Sequence, residues 1–306
     1  MAIRVIFMGS PEFALPSLRA LHLHTDLVGV VTQPDRQAGR GRKLTSPLVK
    51  KLADDLGIDV FQPKTLRTDD AYTKLKLWAP EVIVVAAFGQ ILRENILSLP
   101  PYGCINVHAS ILPRWRGAAP INAAILHGDA ATGTTIMKMD AGLDTGPILS
   151  NRSIPITQQD TAGSLSAKLA QLGSELLIES LPKYISGEIS PTPQPDEGST
   201  YAPMLSKKDG ELDFNQSAEF LSRKVRAFDP WPGTYTDWKG QPLKILGAFS
   251  IPDSLGTPGS HTIYKNLPAI STQTGTLVIQ NLQPAGKKSM TGQVFLNGAK
   301  DWKTST

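Results

Sequence analysis

The chain has 306 residues, 41% of them hydrophobic and 19% charged, with a formal net charge of +4; this is enough for two cores, and the balance excludes a disordered or fibrous polymer. The longest apolar run, Val82 to Phe88, is far shorter than the ~20 residues a membrane span requires, no stretch resembles a secretory leader, and no His/Cys grouping has metal-site spacing. A lone cysteine, Cys104, cannot close an intramolecular disulfide, so the expectation is a monomeric, metal-free protein of the reducing cytoplasm without membrane association.

In chain order, Ile3 to Gly9 is an apolar run ending in glycine and followed by a helix-forming stretch, Glu12 to Leu23, which together read as strand, turn and helix. Leu27 to Thr32, Ile58 to Phe61 and Glu81 to Phe88 are further β-branched or apolar runs. Between them, Pro47 to Leu56 and Ala71 to Trp78 have helical spacing. Strands are expected again at Gly103 to Val107 and Thr134 to Met139, and a helix over Ala162 to Ser186. Strands alternating with helices predict an α/β domain with a doubly wound, mostly parallel sheet over residues 1–186. Pro191, Pro193 and Pro195 lie among Ser, Thr, Gln, Asp and Gly, which reads as a solvated linker over 187–206. From 207 to 306 short alternating segments, among them Leu243 to Ala248, Thr276 to Gln280 and Gly292 to Phe295, predict a smaller β-barrel. Residues 1–205 hold 19 basic and 19 acidic side chains and residues 206–306 hold 12 and 8, so the basic excess sits entirely in the last third. That excess suits a polyanionic partner, although basic solvated faces are common.

A parallel α/β domain can host a dinucleotide, but the first strand leads into Gly9-Ser10-Pro11-Glu12-Phe13-Ala14, which lacks the three-glycine spacing of a pyrophosphate turn, and no Walker-type loop occurs. Chemistry-bearing residues gather instead between Gly103 and Pro147. Asn106 and His108 are two apart at the end of an apolar strand, so both side chains can address one reacting centre, one as a hydrogen-bond donor and one as a proton-exchanging group. A histidine at a strand end serves equally well as a structural hydrogen-bonding residue. Ser110 to Pro120 combines prolines, arginines, Trp115 and Gly117, which suits a rigid binding loop or a surface loop with Trp115 capping the core. Asp144, in a glycine-punctuated loop, can orient a histidine or accept a proton, or satisfy local turn hydrogen bonds.

Taken together, Asn106-Val107-His108, the Ser110-Ile111-Leu112-Pro113 loop and Asp144, 36 positions beyond His108, resemble the pattern shared by folate-dependent formyltransferases. The resemblance runs along nearly the whole chain. It implies a Rossmann-like formyltransferase domain followed by a barrel resembling the OB fold, and 10-formyltetrahydrofolate as the formyl donor. It implies that Asn106, His108 and Asp144 are the catalytic set. It also implies that reduced folate is held by Ser110, Ile111, Leu112 and Pro113 and by Phe88, Gly89, Gln90, Ile91 and Leu92.

Relatives with this catalytic set formylate glycinamide ribonucleotide, sugar amines or methionyl-tRNA. The first are essentially one α/β domain, against which a basic second domain argues. Asp35 to Lys43 resembles the insertion loop with which the tRNA-directed members enter the acceptor stem, with Gln37 standing where those proteins have proline. On this resemblance initiator methionyl-tRNA is the expected acceptor, with Arg36, Arg40, Arg42 and Lys43, and in the last third Lys207, Arg223, Lys287 and Lys288, as expected tRNA contacts. Lys208, Lys224 and Arg226 are further candidates, and Phe228, Trp231 and Trp238 either stack on bases or pack internally. A sugar-amine or other small-amine formyltransferase, and a hydrolase passing the formyl group to water, are the alternatives.

Overall fold

The computed structural model describes residues 2–38 and 43–304, which separate into two compact units. The first comprises Met1–Gly117, Ala131–Pro155 and Ser166–Ala202; the second comprises Ala118–Ala130, Ile156–Leu165 and Pro203–Thr306. In chain order the elements begin with β1 (Arg4–Gly9), α1 (Leu15–His24), β2 (Asp26–Val31), β3 (Arg36–Ala38), β4 (Lys43–Thr45), α2 (Leu48–Asp55), β5 (Val60–Phe61), α3 (Asp69–Leu77) and β6 (Val82–Ala86). They continue with α4 (Glu94–Leu97), β7 (Cys104–His108), β8 (Arg116–Gly117), α5 (Pro120–Leu126), β9 (Ala131–Lys138), β10 (Ile148–Pro155), α6 (Ala162–Ile185) and β11 (Tyr201–Ala202).

Seven of these strands form one sheet in the order β10-β9-β7-β6-β1-β2-β5. The five from β7 to β5 are parallel, and β9 and β10 add antiparallel at one edge. The sheet is therefore mixed at its edge, as the expectation of a mostly parallel sheet allows. Its central strands are apolar throughout because both faces are covered. In β1, Val5 and Phe7 pack with Leu18 and Leu21 of α1, Val49 of α2 and Leu177 of α6. The alternate residues Ile6 and Met8 pack on the other face with Leu75 of α3 and Ile96 of α4. Gly29 in β2 is needed for this packing, since a Cβ there would lie 2.6 Å from the Trp78 ring. Helix α3 is fixed at its start by the Thr68 hydroxyl, which accepts from Ala71 N, with Asp69 and Asp70 in the first turn and Lys74 and Lys76 in the last, each complementing the helix dipole.

The order along the sheet locates the crevice. From β1 the chain adds β2 and β5 on one side and then crosses to add β6 and β7 on the other, so the reversal point lies between β1 and β6. Ligands of open α/β sheets bind beyond the carboxyl ends of strands at such a point. Phe88 to Leu92 follows β6 directly and Asn106 and His108 end β7, so both expected functional segments emerge at that rim.

The segment expected as a solvated linker is more tightly held than its prolines suggest. Thr192 and Ile148 exchange a pair of backbone bonds at 2.8 Å, and β11 pairs in parallel with β8. Composition signals the absence of helix and core here, but not the hydrogen bonds an extended chain can make to a neighbouring strand.

The second unit holds α7 (Ala218–Ala227), β12 (Thr234–Trp238), β13 (Gln241–Ile251), β14 (His261–Tyr264), β15 (Leu267–Ser271), β16 (Thr276–Pro284), β17 (Met290–Thr291) and α8 (Gly292–Gly298). Its strands form an antiparallel sheet, β12-β13-β16-β15-β14 with β17 on β16. Among the described residues the hydrogen-bonded path defines this sheet without joining its two ends into a barrel. Register shifts around Gly247 bend the long β13. Leu221 and Val225 of the amphipathic α7 pack with Ile245, Ile279 and the fully buried Trp302. Gly292 to Phe295, expected as a strand, is helical: the Thr291 hydroxyl accepts from Val294 N and starts α8, burying Phe295 while Val294 faces out.

Candidate functional site

Strand β7 places Asn106 and His108 opposite Met137 and Thr135 of β9, and by the two-residue period both lie on the same side of the sheet as Cys104. The chain brings Asp144 to them by a turn with left-handed backbone, φ 53°. Asn106 Nδ2 donates to Asp144 Oδ1 at 3.4 Å, and His108 Nδ1 lies 3.6 Å from Asp144 Oδ2. Gly117 N donates to the same Oδ2 at 2.8 Å. The three residues expected to act together are thus adjacent, and the carboxylate is the point on which the donors converge. His108 Nε2 is 3.0 Å from the Trp115 carbonyl. A carbonyl only accepts, so this nitrogen carries its proton. His108 is buried, whereas Asn106 keeps part of its surface exposed.

The Ser110–Pro113 loop is pinned from below. Thr135 Oγ1 donates to Ser110 O at 2.7 Å and accepts from Leu112 N at 3.2 Å, and the Ser110 hydroxyl donates to Arg114 O at 2.6 Å. Ser110 and Leu112 are buried, and Ile111 and Pro113 are half-buried. Trp115 is buried, with the Arg114 guanidinium 4.3 Å above its ring, so it caps the core as one of the sequence readings allowed. Sequence reasoning passed over Thr200 and Gln194. Trp115 N donates to Thr200 Oγ1 at 2.8 Å, and the Gln194 amide joins Arg116 to the carbonyls of Asp144 and Gly146. No local pattern marks either residue; only the fold reveals them. Asp140, the other carboxylate of this loop, is spent on its own turn, accepting from Gly142 N and Thr145 Oγ1.

After β6, Ala87 and Gly89 turn the chain with φ of 47° and 79°. The Gln33 amide donates to Phe88 O at 3.0 Å, and Gln90 accepts from Leu66 N and donates to Pro63 O. Phe88 and Leu92 are buried in the core while Ile91 is 74% exposed. Of the five expected folate contacts in this segment, Phe88, Gln90 and Leu92 shape the loop, and Ile91 is the side chain it presents.

Two arms of a short hairpin, β3 and β4, carry the expected acceptor-stem segment, with Arg36 opposite Thr45. Its root is clamped: Asp35 accepts from Gln62 at 2.7 Å and Ser46 at 3.0 Å, bonds that hold its carboxyl below the ordinary value. Arg36 is exposed and donates to Gln33 Oε1. Arg40 and Arg42, and the side chain of Lys43, lie outside the described residues.

In the second unit Lys207, Lys208, Lys287 and Lys288 are exposed. The basic face of α7 is used differently. Arg223 donates to Leu126 O at 3.1 Å and pairs with Glu219, Lys224 donates to Glu211 O, and Arg226 donates to Asp160 O. Burial pulls both Lys224 and Arg226 below their ordinary values. The guanidinium of Arg223, expected as a tRNA contact, thus bonds the end of α5 and pairs with Glu219. Phe228 is buried and Trp238 packs edge-on against Phe295, whereas Trp231 is half exposed.

Residues 3–181 match the formyl transferase family and residues 204–300 match the formyl transferase C-terminal domain. The chain is 48% identical to a methionyl-tRNA formyltransferase of Myxococcus xanthus over 97% of its own length and 95% of the relative's. It is 46% identical to one of Halorhodospira halophila over 98% and 97%. The structure is similar to an N-formyltransferase of Helicobacter canadensis in complex with folinic acid and dTDP-3-aminofucose, with a TM-score of 0.66 and 18% identity over 92% of this chain and 99% of that one. With both parts of the chain matched and such relatives spanning almost all of it, the chain belongs to the formyl transferase family.

Proposed function

We propose that this protein transfers the formyl group of 10-formyltetrahydrofolate to the amino group of initiator methionyl-tRNA, giving N-formylmethionyl-tRNA for translation initiation. The observation that carries the reading is the convergence of Asn106, His108 and Asp144 at the carboxyl end of β7, in a chain nearly half identical along its length to methionyl-tRNA formyltransferases. It works as a monomer in the cytoplasm.

Formyl transfer accounts for these residue types. The amine nitrogen bonds to the formyl carbon while a carbonyl electron pair moves onto oxygen; the tetrahedral intermediate then collapses, the bond to the folate nitrogen breaks, and the proton lost by the amine ends on that nitrogen. Developing charge on the formyl oxygen needs donors already in place. Asn106 has a second Nδ2 hydrogen beyond the one directed at Asp144, and His108 stands beside it held by the Trp115 carbonyl. Asp144 orients both and relays the amine proton through water. Ser110 to Pro113 and Phe88 to Leu92, at the crevice where the strand order reverses, line the folate side, with Ile91 the exposed apolar contact. On the RNA side Arg36, Arg40, Arg42 and Lys43 meet the acceptor-stem phosphates, and Lys207, Lys287 and Lys288 meet phosphates elsewhere. The test is formyl transfer from 10-formyltetrahydrofolate with initiator methionyl-tRNA, a sugar amine and water as parallel acceptors. Product on the tRNA, falling steeply as salt rises, is the expected result. Product only on the sugar amine, or formate alone, would replace the acceptor while leaving the site chemistry in place.

A further inference from the structure

We infer that Gln194 is a positioning residue for formyl transfer, holding Asp144 in its working orientation from the proline-rich segment that follows α6. The inference rests on the role proposed above for Asp144. The Gln194 amide uses all of its hydrogen-bonding capacity in one place. Its Nε2 donates to Asp144 O at 2.8 Å and Gly146 O at 2.7 Å, and its Oε1 accepts from Arg116 Nε at 3.0 Å and Nη2 at 2.8 Å. These partners settle which end is which, since carbonyls only accept and a guanidinium only donates.

The three segments so joined are far apart in sequence, and the Gln194 amide is a side chain that bonds to the other two at once. Asp144 is a non-glycine residue at φ 53°, a conformation that costs of order 1 kcal/mol or more and persists only where its surroundings enforce it. Gln194 fixes the carbonyl of that residue, Gly117 N fixes its carboxylate, and Arg116, immediately before Gly117, is fixed by the other end of the same Gln194 amide. Gln194 is itself placed by the reciprocal Thr192–Ile148 bonds two residues earlier. No other side chain meets the same demand. Glutamate keeps the acceptor for Arg116 but turns a second oxygen onto two carbonyls, and asparagine keeps the amide but is one methylene, about 1.5 Å, too short.

The experiment measures kcat, KM for both substrates and thermal melting in Gln194→Glu, Asp144→Asn and the double variant, with 10-formyltetrahydrofolate and methionyl-tRNA. A displacement of about 1 Å at a reacting group can lower turnover on the order of 100-fold, and a loss of this size in kcat is expected for Gln194→Glu, with each KM within about threefold of the wild type. In the Asp144→Asn background the same change is expected to lower kcat by less than about twofold, because the group it positions is already gone. Wild-type kcat in Gln194→Glu, or an undiminished further loss in the double variant, would overturn the inference while leaving the site reading intact. Wild-type turnover in Asp144→Asn would overturn both. Should Gln194→Glu fail to fold, Gln194→Asn carries the same comparison, with the same outcomes.

Discussion

Gly117 is where geometry and chemistry can be separated by a single methyl group. Its φ of 113° is unfavourable for any L side chain, and a Cβ there would lie 2.6 Å from Ala202 O and 2.7 Å from the Tyr201 ring. The contact with a backbone oxygen leaves no room, so Gly117→Ala must part β8 from β11 or rotate the peptide whose N–H reaches Asp144 Oδ2 at 2.8 Å. Backbone strain contributes about 1–3 kcal/mol of destabilisation. A hydrogen bond to a charged acceptor is worth about 1.5–3 kcal/mol, which, if it is lost in the transition state, lowers kcat by roughly one to two orders of magnitude. Gly57→Ala is the control: its φ is 68° with nothing within 4 Å of the added carbon, so it carries strain of about 1 kcal/mol without touching the site. Melting temperature and single-turnover formyl transfer of both variants should show two lowered melting points but only one lowered rate. If Gly117→Ala turns over within about twofold of the wild type while folded, this loop does not hold Asp144 for catalysis.

Asn106→Ala should lower the chemical step by about 100- to 1,000-fold, the range for one oxyanion donor, with folate affinity nearly unchanged; a change confined to KM would place Asn106 in binding. Burial pushes the Cys104 thiol up to about 12, so thiol reagents at pH 8 should label the native chain only as fast as it opens, and rapid labelling would contradict the packing. By the same linkage, stability from this group is present below the ordinary thiol value and is lost as pH rises from there toward 12, since the unfolded chain releases its proton first; denaturant titrations of Cys104→Ala, compared with the wild type across that window, read the difference. Trp238→Ala should cost about 1–3 kcal/mol, because its partly buried ring packs with Phe295 and Trp302. Trp231→Ala, half exposed, should leave melting within a few degrees and weaken tRNA binding if it stacks on a base, which fluorescence titration against melting would separate.

Much of the first unit is legible because its strands are buried on both faces. Continuous apolar runs such as Val82–Ala86 can hardly be anything else at that length, and among the helices between them α3 carries a side-chain cap at Thr68. Asn106 and His108 are legible for a related reason, since the two-residue period of a strand makes their shared orientation a matter of spacing. Asp144 is legible only through resemblance to a family, because nothing in the sequence locally separates it from Asp140, whose oxygens are used up by its own turn. In the second unit short segments mislead: Gly292 to Phe295 alternates as a strand does, but the Thr291 hydroxyl supplies a helix start that pattern alone does not weigh.

Gln194 and Thr200 mark the limit of such reading, and the reason is physical. A core residue announces itself by hydrophobicity repeated at the period of its element, so several positions carry the same information. A residue that bridges carbonyls by one amide carries its information in partners 50 and 78 positions away, and its own neighbours, Pro193 and Pro195, report only that the chain is extended. Extended chain beside a sheet edge is free to hydrogen-bond, however, and in this protein it does so with the two loops that present Asp144 and Arg116. The same segment leads directly into Pro203, where the second unit resumes. Substitutions in this proline-rich stretch should therefore divide by bonding rather than by composition: Gln194 and Thr200, with side chains bonded to the site loops, should alter kcat, while Pro191→Ala and Pro195→Ala should leave it within about twofold. Equal losses from all four, measured as kcat in single-turnover formyl transfer, would mean that stiffness of the connector matters and the specific bonds do not.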